Sequence, residues 1–159
     1  MESTFFVLDR PDRFARMSVG YRRDRETGRI TDEPATFEHF GRGYKVPNGG
    51  VYSTVGDLAT FAGAVMGRGP VQILSPASRR ALGTPQAPAE GYGLGFMVGS
   101  EEGLVLVGHG GSVAGYNAFL QFDPATGLGV AVLRTTSWSP PAEALLRRLV
   151  TAAVAPSPS

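Results

Sequence analysis

Residues 108–133 read GHGGSVAGYNAFLQFDPATGLGVAVL. Within and just beyond this stretch, 116–123 (YNAFLQFD) and 128–135 (LGVAVLRT) are short β-prone runs on either side of the turn cluster Asp123-Pro124-Ala125-Thr126-Gly127. Working towards the N-terminus, 104–109 (LVLVGH) and 92–99 (YGLGFMVG) are two more such runs. They are set off by the turn residues Gly111–Gly115 and Ser100–Gly103. Four short strands joined in succession by turns predict an antiparallel meander. In this reading one strand ends at His109.

Helices flank the meander. After the sharp turn at Pro47-Asn48-Gly49-Gly50, Thr54 with Asp57 three residues on resembles a capping box. Leu58, Phe61, Ala62, Val65 and Met66 then fall on one helical face, and Gly67 or Gly69 ends the element. Ser75-Pro76 opens a shorter helix that Gly83 closes. Ser139-Pro140-Pro141 leads into a last helix whose Leu145, Leu146, Leu149, Val150 and Ala153 make an apolar face that needs a sheet to lie on. Trp138 is expected to anchor that helix. Met1 to Lys45, with many charges and little periodicity, reads as an extended excursion; a loop of that length shapes a binding site or belongs to a larger structure that supports it. The expectation is an α+β fold, one domain over residues 1–154, with 155–159 a frayed tail.

Composition narrows the function. The 159 residues are 42% hydrophobic and 18% charged, with 22 glycines and 12 prolines, which fits a globular chain rich in turns. A net charge of +1 gives no field for nucleic acid or an acidic membrane surface. The basic cluster Arg10, Arg13, Arg16, Arg22, Arg23, Arg25 is interleaved with Asp9, Asp12, Asp24 and Glu26 and reads as a solvated face. There is no cysteine, so disulfides, thiolate nucleophiles and cysteine metal sites are excluded, and no metal or organic cofactor is implied. The N-terminus MESTFFVLDR has neither signal-peptide nor membrane-span character, so the chain as written is expected in the cytoplasm.

For acyl-transfer chemistry, two patterns are absent. A serine activated by a lysine one helical turn on needs S-x-x-K, but the one lysine is Lys45 and position 42 is Arg42. Y-x-N is absent too, since Asn48 and Asn117 follow Val46 and Gly115 by two residues. What remains is His109 at a strand end, bare backbone at Gly110 and Gly111, and a Ser112 N–H that a substrate carbonyl could approach. Those glycines serve either a turn or an oxyanion-hole edge. Tyr52 and Asn48, beside the glycine turn, either border a pocket or simply form the turn. Tyr92, Phe96, Tyr116, Phe119 and Phe122 have strand spacing and read as sheet packing, and His39 as an exposed side chain.

Four ordered segments carry a family resemblance: PNGGVYSTVGDLATF (47–61), ILSPASRRAL (73–82), YGLGF (92–96) and residues 108–133 quoted above. Together they resemble the C-terminal part of the β-lactamase-related serine hydrolases, which include class C β-lactamases, D-alanyl-D-alanine peptidases of penicillin-binding protein type, and esterases. The resemblance implies the C-terminal part of the β-lactamase/transpeptidase-like fold. It implies that His109-Gly110-Gly111 is the third active-site motif, with His109 in the place of its basic residue to orient substrate and assist proton movement. The Ser112 backbone N–H would be one oxyanion donor. The S-x-x-K and Y-x-N motifs would precede Met1, together with the helical region bearing the nucleophile and at least one strand of the sheet.

The expectation is therefore a C-terminal fragment of a hydrolase acting on β-lactams, D-amino-acid peptides or esters through an acyl-enzyme. It would be inactive alone and would meet a small-molecule acyl substrate only with a complementing N-terminal half. One alternative is a non-catalytic α+β module that pairs through an exposed sheet edge, with itself or another chain. Another is an independent hydrolase using Ser112, in G-G-S-V-A, with His109, His39 and Asp57 or Asp123 around it.

Overall fold

In the computed structural model of the chain, the residues described are 1–6, 11–33, 47–86, 91–113, 115–136, 138 and 142–155. A four-stranded antiparallel sheet runs β3-β4-β5-β6, formed by Met97–Glu101, Leu104–Val113, Tyr116–Phe122 and Gly129–Arg134. This is the expected meander with its strand boundaries shifted, two of them by four residues or more. The first strand starts at Met97 rather than residue 92, because the preceding loop folds back on itself: the Gly93 N–H donates to the Phe96 carbonyl at 2.7 Å and Gly95 adopts φ +80°. Strand β4 does not end at His109 but continues to Val113, and β5 begins at Tyr116.

The reason lies in how closely β5 approaches. A Cβ on Gly108 would sit 2.0 Å from the Leu120 carbonyl oxygen, and one on Gly110 would sit 2.3 Å from Cδ2 of Phe119. These glycines permit the strand to continue where their composition suggests a turn.

Alternation along the strands builds two cores on opposite faces. On one face Leu104, Leu106, Phe119 and Val132 pack with Val150 of a C-terminal helix, Ala142–Val154. On the other, Val107 and Phe122 pack with Ala62 and Val65 of the helix Val55–Met66, and Leu82 of the short helix Pro76–Leu82 joins them. Both predicted N-caps are present: the Asp57 N–H donates to Thr54 Oγ1 and the Ser78 N–H to Ser75 Oγ. The apolar face predicted for the last helix is narrower than expected. Leu149 is 41% exposed and Ala153 is exposed, because Leu149 is turned about 100° round the helix from buried Val150. Trp138, expected as an anchor, is 38% exposed.

The N-terminal excursion carries regular structure that its charges obscured. Pro11–Ala15 forms a short helix, α1, and Gly20–Arg23 (β1) pairs antiparallel with Ile30–Glu33 (β2). The other helices are accordingly α2 (Val55–Met66), α3 (Pro76–Leu82) and α4 (Ala142–Val154). Asp24 closes the β1–β2 hairpin by accepting from the Thr27 N–H at 2.7 Å and Thr27 Oγ1 at 2.8 Å, and these bonds hold its carboxyl below the usual range. The hairpin is tied to the sheet: the Tyr21 N–H donates to the Thr135 carbonyl at 2.9 Å. The Tyr116 hydroxyl donates to the Ser18 carbonyl, and burial pushes that phenol's pKa up. His39, Lys45 and the Ser139-Pro140-Pro141 lead-in lie outside the described residues.

Candidate active site

The site is built on the outer half of β4. Strand β3 accompanies β4 only as far as the pair Met97↔Gly108, whereas β5 follows it to Val113↔Tyr116. With two residues between them, Val113 and Tyr116 form the closing pair of a tight hairpin and bond to each other. Parity then turns the N–H and C=O groups of Gly110 and Ser112 away from β5. Among the described residues these groups face an unpaired strand edge.

Residues of this outer half help to line a groove of about 640 Å³ that also runs along β5 and β6. Its walls include His109 to Val113, Tyr52 and Leu58 beside the start of α2, and Phe5 of the N-terminal segment. Phe5 stacks on Tyr52 with ring centroids 5.5 Å apart, and their backbones exchange hydrogen bonds of 3.1 and 2.9 Å. Asp57, in the first turn of α2, anchors this segment by accepting from Thr4 Oγ1 at 2.7 Å and the Ser3 N–H at 2.9 Å. The Thr4 bond is the main reason its carboxyl titrates below the usual range. Arg13, Arg16 and Arg134 also line the groove, and no described carboxylate does.

The candidate residues read from the sequence separate by face. His109 and Gly111 project to the α2 side of the sheet, and a Cβ on Gly111 would meet nothing within 4 Å. Gly110 and Ser112 project to the α4 side. The open backbone expected at both glycines is therefore present at Gly111 only, since Gly110 is where the Phe119 ring fits. Ser112 Oγ donates to the Tyr116 carbonyl at 3.2 Å, on the face opposite the His109 ring. A Ser112 nucleophile served by His109 is thus contradicted by strand geometry, and Ser112 can offer the groove its backbone N–H. Tyr52 lines the groove. Asn48 sits in the preceding turn and does not.

The His109 ring is held at both nitrogens. Nδ1 lies 2.7 Å from the Gly110 carbonyl oxygen and Nε2 lies 2.6 Å from the Tyr92 hydroxyl. The Tyr92 contact, and the place of Arg13 and Arg16 on the groove, were not legible as site features. Tyr92 has the same spacing as the packing aromatics, and the arginines sit in a stretch whose mixed charges look like an ordinary surface.

A family model for Beta-lactamase matches residues 1–155. The chain belongs to the beta-lactamase family. Similarity to other members is consistent with this. A beta-lactamase-like protein of Homo sapiens is 31% identical over 139 residues, 84% of this chain and 26% of that protein. The chain thus spans about a quarter of the length of the curated relative it matches. An octameric penicillin-binding protein homologue from Pyrococcus abyssi superposes with TM-score 0.72 at 28% identity, covering 94% of this chain and 34% of that one. A D-stereospecific amidohydrolase from Streptomyces sp. shares the fold, with TM-score 0.61 at 20% identity over 82% of this chain and 38% of its own. The beta-lactamase match runs through the whole meander, β4 included.

Proposed function

We propose that this chain forms the strand-side wall of the acyl-transfer site of a β-lactamase-related serine hydrolase. His109-Gly110-Gly111 is the motif strand, the Ser112 N–H is one oxyanion donor, and the nucleophile and its base come from residues outside this sequence. The observation that carries the reading is the unpaired outer edge of β4, whose residues Gly110 and Ser112 are among those lining the groove. Preorganised N–H groups at such an edge stabilise charge that develops on a carbonyl oxygen. Without S-x-x-K, that stabilisation has no attacking oxygen to serve. Three arginines on the groove favour acyl substrates that carry a carboxylate, as β-lactams and D-amino-acid peptides do, over neutral esters.

The test has two arms. Intact mass after a fluorophosphonate serine probe should show no adduct on the folded chain, and a stoichiometric adduct lost in Ser112→Ala overturns the reading. An N-acylated D-alanine with a free carboxylate should shift the Gly110 and Ser112 amide resonances, and unmoved amides at saturating ligand would also overturn it.

A second reading is favoured by one comparison. The Pyrococcus abyssi neighbour is an octamer, and this chain's open strand edges suit association with a second copy.

A further inference from the structure

We propose that Tyr92 is a positioning residue for His109: its hydroxyl and the Gly110 carbonyl clamp the imidazole between them and fix its neutral form as the Nδ1–H tautomer. The Gly110 carbonyl can only accept, so Nδ1 must carry the proton in that 2.7 Å contact. Nε2 is then bare in the neutral ring, and the Tyr92 hydroxyl, 2.6 Å away, donates to it. If the ring takes a second proton, Nε2–H donates to the phenol oxygen and nothing needs to move. The clamp therefore serves both charge states.

The loop delivers Tyr92 as a fixed part. The Tyr92 carbonyl accepts from the Gln86 N–H at 2.8 Å and its backbone bridges to Met97. Gly93 allows close approach to α3, since a Cβ there would lie 2.1 Å from the Leu82 carbonyl oxygen. The Tyr92 and His109 rings meet edge to face at 5.7 Å. Tyr92 does not line the groove, so it supports His109 from behind. With both nitrogens engaged, His109 presents a fixed wall and a fixed charge distribution to the groove. Direct proton exchange between a ring nitrogen and a ligand in the groove requires one of the two contacts to open.

This deepens the reading of β4 as a site wall, but its test needs no activity, so the two can fail separately. Uniformly ¹⁵N-labelled chain carrying His39→Gln, which leaves His109 as the one histidine, is measured at pH 8 through the ring's two-bond ¹⁵N–¹H correlations. The expected spectrum has a protonated-type Nδ1 and a bare-type Nε2, the reverse of free histidine's preference. Tyr92→Phe should move both nitrogens towards an average of the two tautomers while amides remote from residues 91–97 and 108–112 stay in place. An Nε2–H ring in the parent chain overturns the proposal, as does a Tyr92→Phe spectrum identical to it. Should Tyr92→Phe not fold, fluorotyrosine incorporation keeps the ring and strengthens the donor. The Nε2 shift must then respond, and an unchanged shift counts against Tyr92.

Discussion

The glycines of residues 108–111 do different work although they look alike. Gly108 and Gly110 face β5 and the α4-side core, where an added methyl would strike the Leu120 carbonyl or the Phe119 ring; Gly111 faces open groove. Phe119 is 3% exposed and cannot swing aside without disturbing the core around Leu106 and Val132. Gly110→Ala should therefore cost about 1–3 kcal/mol in urea denaturation, the usual penalty of overpacking. Gly111→Ala should stay within about 0.5 kcal/mol of the parent, as an exposed change does. Equal losses in the two variants would show that backbone freedom, not the Phe119 contact, governs both. This contrast also marks what was legible at the site. Residue types at His109, Gly111 and Ser112 could be read off the chain, but which glycine is open depends on the cross-strand pair Gly110↔Phe119, a register that no local pattern encodes.

At the scale of elements, the parts read correctly were those whose signals are local. Thr54 and Ser75 as caps, Gly67 at φ +73° after α2, and Asp123 binding its own turn through the Ala125 and Thr126 amides need only a few neighbouring residues. The β1–β2 hairpin escaped because its strands are charged and exposed, so no alternation reports them. What fixes it, the Tyr21 tie to Thr135, is distant in sequence. Thr54→Ala should lower stability by about 1 kcal/mol, the usual value of a lost N-cap, as read from the urea midpoint at constant slope. The turn from β3 to β4 holds Glu102 at φ +49° ahead of Gly103 at +79°. Asparagine tolerates that conformation better, so Glu102→Asn should stabilise by roughly 0.5–1 kcal/mol in the same assay. Asp57 ties α2 to the N-terminal segment, and its pKa is lowered in the fold. A depressed carboxylate contributes its full stabilisation above its unfolded value of about 4 and loses it as pH falls through the lower folded value. The Ser3 amide should thus stay protected from hydrogen exchange at neutral pH and open in acid. In Asp57→Ala it should be open at every pH.

At the scale of the whole molecule, exposed apolar side chains lie together: Val51, Val55 and Leu133, all more than a third exposed, line the groove along with residues of the unpaired part of β4. Among the described strands β6 pairs only with β5, with the Tyr21 tie to Thr135 just past its end, which makes it the second edge of this sheet. Apolar surface beside unpaired edges drives association unless something covers both. Sedimentation velocity over a wide concentration range should therefore show the weight-average coefficient rising with concentration. Leu133→Lys, which sets a charge on the β6 edge, should flatten that rise without lowering the unfolding midpoint much, since Leu133 is 40% exposed. A chain that sediments as one monomer at all concentrations would mean that neither edge is available.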